Sequence, residues 1–321
     1  MPVVSRRPFR VLGTSTQHLF KSYRNEVDDH LSRQFFVSNV LSDFRIHYST
    51  GPLSCPYCVG VENDSKKGSG EELEFHKKRD VAQKSVYMQH KRRVSTEKKF
   101  LLIVQDFTQI LYGSKSAQDL IITVYYHDRT VPLNTSHKFY HFLASSTNDV
   151  NFVYSVWKDF FDELLTTYDP RKIMVWSDGG RKHFKTSRQL VMWWELLESR
   201  KVKMEYHFFE SYHGHNACDG GAAHAKKALV NYQKNNQTII TSIEEVKEVI
   251  GNIDNHVSTI CDVDEEAAQH ISGISFKNIM SCHYFTFDKR GNISGYVDST
   301  GSSLIDTYSV LNKLSKQTKK N

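Results

Sequence analysis

The order of elements along the chain predicts an α/β protein with a mixed sheet and flanking helices. Three observations carry this. Three apolar, β-branched and aromatic runs follow one another between residues 99 and 145, with turn-like segments between them. From 148 onward helix-like and strand-like stretches alternate. The connections at 146–172 and 178–202 are long enough for crossovers between parallel strands.

Taken in order, the first elements are helical. Leu19, Phe20, Tyr23 and Val27 recur at helix spacing behind Ser15 or Thr16 as N-cap. A second piece follows Ser32, with Phe35, Phe36, Val40 and Leu41 as its apolar stripe. The pair has the form of a helix-turn-helix with Arg33–Asp43 as its second helix, or of two ordinary packed helices. The polar segment ENDSKKGSGEE (62–72) is a loop, and 71–96 is one long basic helix. KFLLIVQDFTQI, DLIITVYYHD and KFYHFLASS are consecutive antiparallel strands. A helix over 148–166 then places Val153, Val156, Trp157, Phe160, Phe161 and Leu164 toward a core. A strand at 172–178, a helix at 186–199, a strand at 202–210 and a helix beginning near Asp219 complete the core, residues 99–231. Residues 232–321 carry an acidic helix around 243–251 and a hairpin over 283–297, expected as a small accessory lobe packed on that core.

Composition narrows the classes. The chain has 321 residues, 39% of them hydrophobic, enough for a sizeable core. No apolar run approaches the ~18 residues of a membrane span, and no apolar segment stands behind the basic start MPVVSRRPFR, so membrane and secreted classes are not expected. The net charge is +6, and its distribution says more. Residues 75–99 hold nine Lys/Arg against Asp80 and Glu97, whereas 243–266 hold eight acids against Lys247. Such alternation suits a protein that touches a polyanion with chosen surfaces, and also suits ordinary solvated faces. Five cysteines point to reduced thiols rather than a disulfide framework. Cys55 and Cys58 form half of a candidate zinc site, with His76 and His90 as partners at gaps that match no standard finger.

The chemistry concentrates on three acids. Asp106 interrupts the apolar run LLIVQ, where a carboxylate is costly unless paired or metal-bound. Asp178 ends a strand before Gly179-Gly180, at the carboxyl edge where ligands bind in α/β sheets. Asp219 opens the helix after the last core strand, with Glu210 as an alternative third acid. Singly, these residues also serve as strand-end, turn and cap groups. Together, converging carboxylates suit two Mg²⁺ or Mn²⁺ ions and phosphodiester chemistry. Lys182, His183 and Lys185 follow Asp178, Lys226 and Lys227 lie along the last helix, and Lys91, Arg92 and Arg93 crowd the basic helix; all are candidates for phosphate contact or plain solvated charge. His213, His215 and Cys218 fall near the expected rim.

At these residues the chain resembles a family. The acids in this order, with WSDGGRKHFKTS (176–187) and YHFFESYHGHNACDGGAAHAKKAL (206–229), are similar to the RNase H-like core of DDE/DDD transposases and integrases, including eukaryotic transposon-derived proteins. The resemblance covers about 99–231 and implies a sheet whose fourth strand lies beside the first, Mg²⁺ or Mn²⁺ as cofactor, DNA as partner, a nuclear location and a homo-oligomer. The family often has Glu as its third acid, which keeps Glu210 in contention. A domesticated, inactive DNA-binding or scaffold protein and an RNase H-like nuclease unrelated to transposition remain the alternative readings.

Overall fold

A computed structural model describes residues 70–131, 133–145, 148–180, 182–210 and 216–313. All belong to the second of the chain's two compact units, Cys55–Asn321. The helices expected between 16 and 48, Cys55 and Cys58, and His213 and His215 lie outside the described residues.

Helix α1 (Gly70–Thr96) leads into β1 (Phe100–Tyr112), β2 (Lys115–His127) and β3 (Thr135–Ala144). After these, α2 (Val150–Tyr168), β4 (Lys172–Ser177), α3 (Ser187–Glu198), β5 (Lys203–Phe208) and α4 (Ala217–Asn236) alternate as expected. The remainder is α5 (Ile243–Gly251), β6 (His256–Ile260), β7 (Tyr284–Phe287), β8 (Asn292–Tyr296) and β9 (Leu304–Ser309). All nine strands of the described residues join one sheet in the order β6-β3-β2-β1-β4-β5-β7-β8-β9. The pairs β1–β2 and β2–β3 are antiparallel, and β4 and β5 run parallel to β1.

The described residues of 232–321 do not stand beside the core as a lobe. They extend its sheet at both edges, with β6 parallel to β3 on one side and β7 antiparallel to β5 on the other. Added strands satisfy backbone groups that would otherwise be left at an open edge.

Local chemistry sets the boundaries. The β1–β2 hairpin turns through Gly113 at φ 53°, the left-handed backbone that glycine adopts without cost. Asp149 caps α2 by accepting from the backbone N–H groups of Asn151 and Phe152, and Thr186 caps α3 through Gln189. Asn216 and Asp219 form a reciprocal capping box at the start of α4.

The sheet is buried on both faces. Leu101 and Ile103 point into one cluster with Trp157, Phe161 and Trp193 of α2 and α3. Phe100, Leu102 and Val104 point into another with Met174, Trp176, Cys218 and Ala222, beneath α1 and α4. This alternation decides where the acids face.

Candidate active site

β1 and β4 pair in parallel up to Gln105 opposite Ser177, so Asp106 and Asp178 occupy the next position on adjacent strands. Neighbouring strands lie about 4.8 Å apart. Both acids continue the face of Val104 and Trp176, the face that α4 covers, and α4 begins with Asp219 in its first turn.

The residues just before the acids look the other way and tie the strand ends together. Gln105 Nε2 donates to the Tyr206 hydroxyl at 3.1 Å, and its Oε1 accepts from the Trp157 indole at 2.7 Å. Ser177 Oγ lies 3.0 Å from the same Tyr206 hydroxyl. A buried polar network fully supplied in this way gives β1, β4 and β5 one arrangement, and it carries the acids with it.

Each acid has local partners. Asp106 Oδ1 accepts from the Phe107 N–H at 2.8 Å, and the Asn216 amide stands 3.5 Å from its Oδ2. Asp178 Oδ1 accepts from the Gly180 N–H at 3.1 Å, with His183 Nε2 at 3.8 Å. Asp219 Oδ2 accepts from the Asn216 N–H at 2.9 Å. Burial, then the charge of Asp178, and further that of Asp219, push the Asp106 carboxyl up to about 7, against the opposing hydrogen bonds from Phe107 and Asn216. The charges of Asp178 and Asp219 thus oppose ionisation of the buried Asp106. Their oxygens are not gathered around one point, and among the described residues no three His, Cys, Asp or Glu side chains are arranged to hold an ion.

Glu210 lies elsewhere. It is buried in an ion pair with Arg79 of α1, with His76 Nδ1 at 3.2 Å and His283 Nε2 at 3.7 Å. Burial opposes its charge, but Arg79, His283 and His76 hold the carboxyl below its usual range. Its charge is matched where it stands, and the groups that perturb Asp106 are Asp178 and Asp219.

The cationic candidates divide. Lys226 and Lys227 are exposed on α4, and Lys226 Nζ donates to Thr108 Oγ1 at 2.7 Å. Lys182 donates to Asn148 Oδ1 at 3.0 Å. Arg92 is exposed, whereas Lys91 lies half-buried over the Tyr125 ring at 4.8 Å and Arg93 pairs with Glu97. Lys185 corrects the sequence reading: it is 4% exposed, and its ammonium donates to the Met280 carbonyl at 2.9 Å and lies over Phe208. An inward lysine cannot meet a DNA backbone.

The histidine partners expected for zinc are also corrected. His76 and His90 belong to one continuous helix, so fourteen residues at about 1.5 Å each hold them ~20 Å apart, too far to share an ion. His90 Nδ1 accepts from the Trp176 indole at 3.1 Å. Cys218 is buried with its Sγ against the Val104 and Ile121 carbonyls, inside the core rather than on a rim.

Sequence reasoning missed the supporting residues Gln105, Ser177, Tyr206, Trp157 and Asn216. A signal was present for two: Gln105 and Ser177 are polar residues directly before the two strand acids, inside apolar strands.

Residues 77–294 match the family described as Domain of unknown function (DUF8701), and the chain belongs to that family. A search of curated proteins finds no match.

Proposed function

We propose that the protein is a transposase-derived DNA-processing enzyme with an RNase H-like core, acting on phosphodiester bonds through Asp106, Asp178 and Asp219. The strand order β3-β2-β1-β4-β5, with β4 parallel to β1, supports the fold reading. The observation that carries the chemistry is the placement of Asp106 and Asp178 at adjoining strand ends, on the face where α4 opens with Asp219; burial and the two other acids raise the Asp106 carboxyl. Such mutual repulsion is what a divalent cation relieves. Asp106, Asp178 and Asp219 are hard oxygen donors that would hold Mg²⁺ or Mn²⁺, which would activate a hydroxyl nucleophile and stabilise the leaving oxygen.

The chain's own residues supply orientation and charge. Tyr206, Gln105 and Ser177 hold the acid-bearing strand ends in register. Lys226, Lys227, Lys182 and Arg92 offer exposed cations to the backbone of a duplex, whose phosphates dominate affinity. A DNA substrate and a nuclear location in a eukaryotic cell belong to this reading.

One observation favours a second reading. Asp219 is engaged in the capping box of α4, as a purely structural acid would be, and the second reading is a domesticated protein that binds DNA without cleaving it.

The test is cleavage of mixed duplex, nicked and branched DNA in Mg²⁺ or Mn²⁺ by wild type and Asp178→Asn, with binding followed by fluorescence anisotropy. We expect metal-dependent cleavage that falls at least a hundredfold in the variant, with binding retained. Binding without cleavage by the wild type selects the second reading, and absence of both defeats the proposal.

A further inference from the structure

A second cluster lies on the same sheet face, on β2, β3 and β6, beginning one strand away from Asp106 of β1. Asp119 of β2 is wholly buried; its Oδ2 is 2.8 Å from His141 Nδ1, and its Oδ1 has no hydrogen-bond partner. His141 of β3, also wholly buried, places its Nε2 2.8 Å from Nδ1 of His256 on the edge strand β6. The two imidazoles stack at 16° with ring centres 5.0 Å apart. Three side chains from three adjacent strands thus form one hydrogen-bonded line from the interior to the sheet edge.

The line specifies a chemistry at its outer end. With Asp119 as a carboxylate, the proton of His141 sits on Nδ1, leaving Nε2 as an acceptor. His256 then donates from Nδ1, and its own Nε2 is left as a bare lone pair. No described residue hydrogen-bonds that nitrogen. The exposed ring of His224 on α4 stands beside the His256 ring, their centres 5.9 Å apart, with Phe139 against both rings. An ion about 2.0–2.1 Å from each coordinating nitrogen stands about 3 Å from each ring centre, so two ligand rings lie about 5–6 Å apart.

We propose that His224 and His256 form a binding site for a borderline divalent cation of the zinc, nickel or copper kind, with Asp119 and His141 as the groups that orient His256. Imidazole nitrogens suit these ions, whereas the carboxylates near β1 suit harder ones. Metal-bound imidazoles are commonly fixed by a carboxylate or carbonyl at their other nitrogen, and here the carboxylate acts through an intervening imidazole. No third ligand is in position among the described residues, so the remaining coordination is open to solvent or a partner group. The site is independent of the DNA-processing reading.

The test is calorimetric titration of chelator-stripped full chain with Zn²⁺, in a Cys55→Ser/Cys58→Ser background that silences the thiol pair. We expect one ion per chain. His224→Ala, at an exposed position that leaves the core intact, should weaken binding at least tenfold. Asp119→Asn, which touches no ion, should weaken it about tenfold while circular dichroism stays native; should that variant misfold, His224→Ala alone decides. Excess Mg²⁺, which suits the carboxylates near β1, should leave the Zn²⁺ affinity unchanged. Equal affinity in His224→Ala, or no binding in the parent, overturns the proposal and leaves the line carrying a proton only.

Discussion

Asp106 states the tension of the site at the scale of one residue. A carboxyl pushed up to about 7 is protonated in the folded chain at pH values where the unfolded chain has ionised. Its contribution is therefore most favourable below the ordinary carboxylate range and is lost as pH rises through about 7. Asp106→Asn should accordingly raise the stability of the ion-free protein by about 1–2 kcal/mol at pH 8, with the gain vanishing near pH 3.5. Thermal melts at the two pH values check this, and a destabilised variant at pH 8 would mean that Asp106 is held by attractions rather than repelled. Among single residues, Asp106 was legible because a charge inside an apolar strand needs a cause. Sequence did not separate Glu210 from Asp219; the structure pairs Glu210 with Arg79, 131 residues away, and sets Asp219 in the first turn of α4. Lys185 looked like its neighbour Lys182 because nothing local reveals that one ammonium turns inward to the Met280 carbonyl.

At the scale of elements, α4 depends on small residues. A methyl group on Gly221 would come within 2.7 Å of the Phe139 ring, so helix and sheet touch there at the closest spacing the side chains permit. Gly221→Ala should lower stability by about 1–2 kcal/mol, since the overpacking outweighs the gain in helix propensity; urea unfolding measures it, and a stabilised variant would show that Phe139 can move aside. Helix α1 was legible in extent but not in orientation. Its buried positions are mostly polar, with His76, Asp80, Gln83 and His90 ahead of Val94, so no apolar stripe announces the inner face. The strands β1 to β4 were legible because each is an apolar or aromatic run, and β5 because Met204, Tyr206 and Phe208 alternate along it. β6 and β9 were missed: HVSTI and LIDTYS are short edge strands, half polar, and gain their structure by pairing with β3 and β8.

Across the molecule, burial favours the neutral form of several imidazoles. Burial, with His207 nearby, pushes His90 down to about 3; burial, with Lys185 nearby, pushes His283 to about 3; burial and the rings of His141, His224 and His137 push His256 to about 4. Histidines depressed in this way contribute stability that is complete above their ordinary value near 6.5 and is lost as pH falls toward 4. Asp106 and Asp119 are raised and act in the opposite direction, but the imidazoles outnumber them. The melting temperature should therefore fall between pH 7.5 and pH 5, read by circular dichroism in a buffer of constant ionic strength. An unchanged or higher value at pH 5 would show that the carboxyls dominate. The parallel pairing of β1 with β4 has a consequence for the order of assembly. The hairpins β1–β2 and β2–β3 close over short stretches of chain, while Asp106 and Asp178 meet only after the intervening segment, α2 included, has folded back. Repulsion between the acids is thus absent from the early stages and falls on the closing step; an ion held there, as the proposed function requires, would hasten the end of folding and leave its beginning untouched.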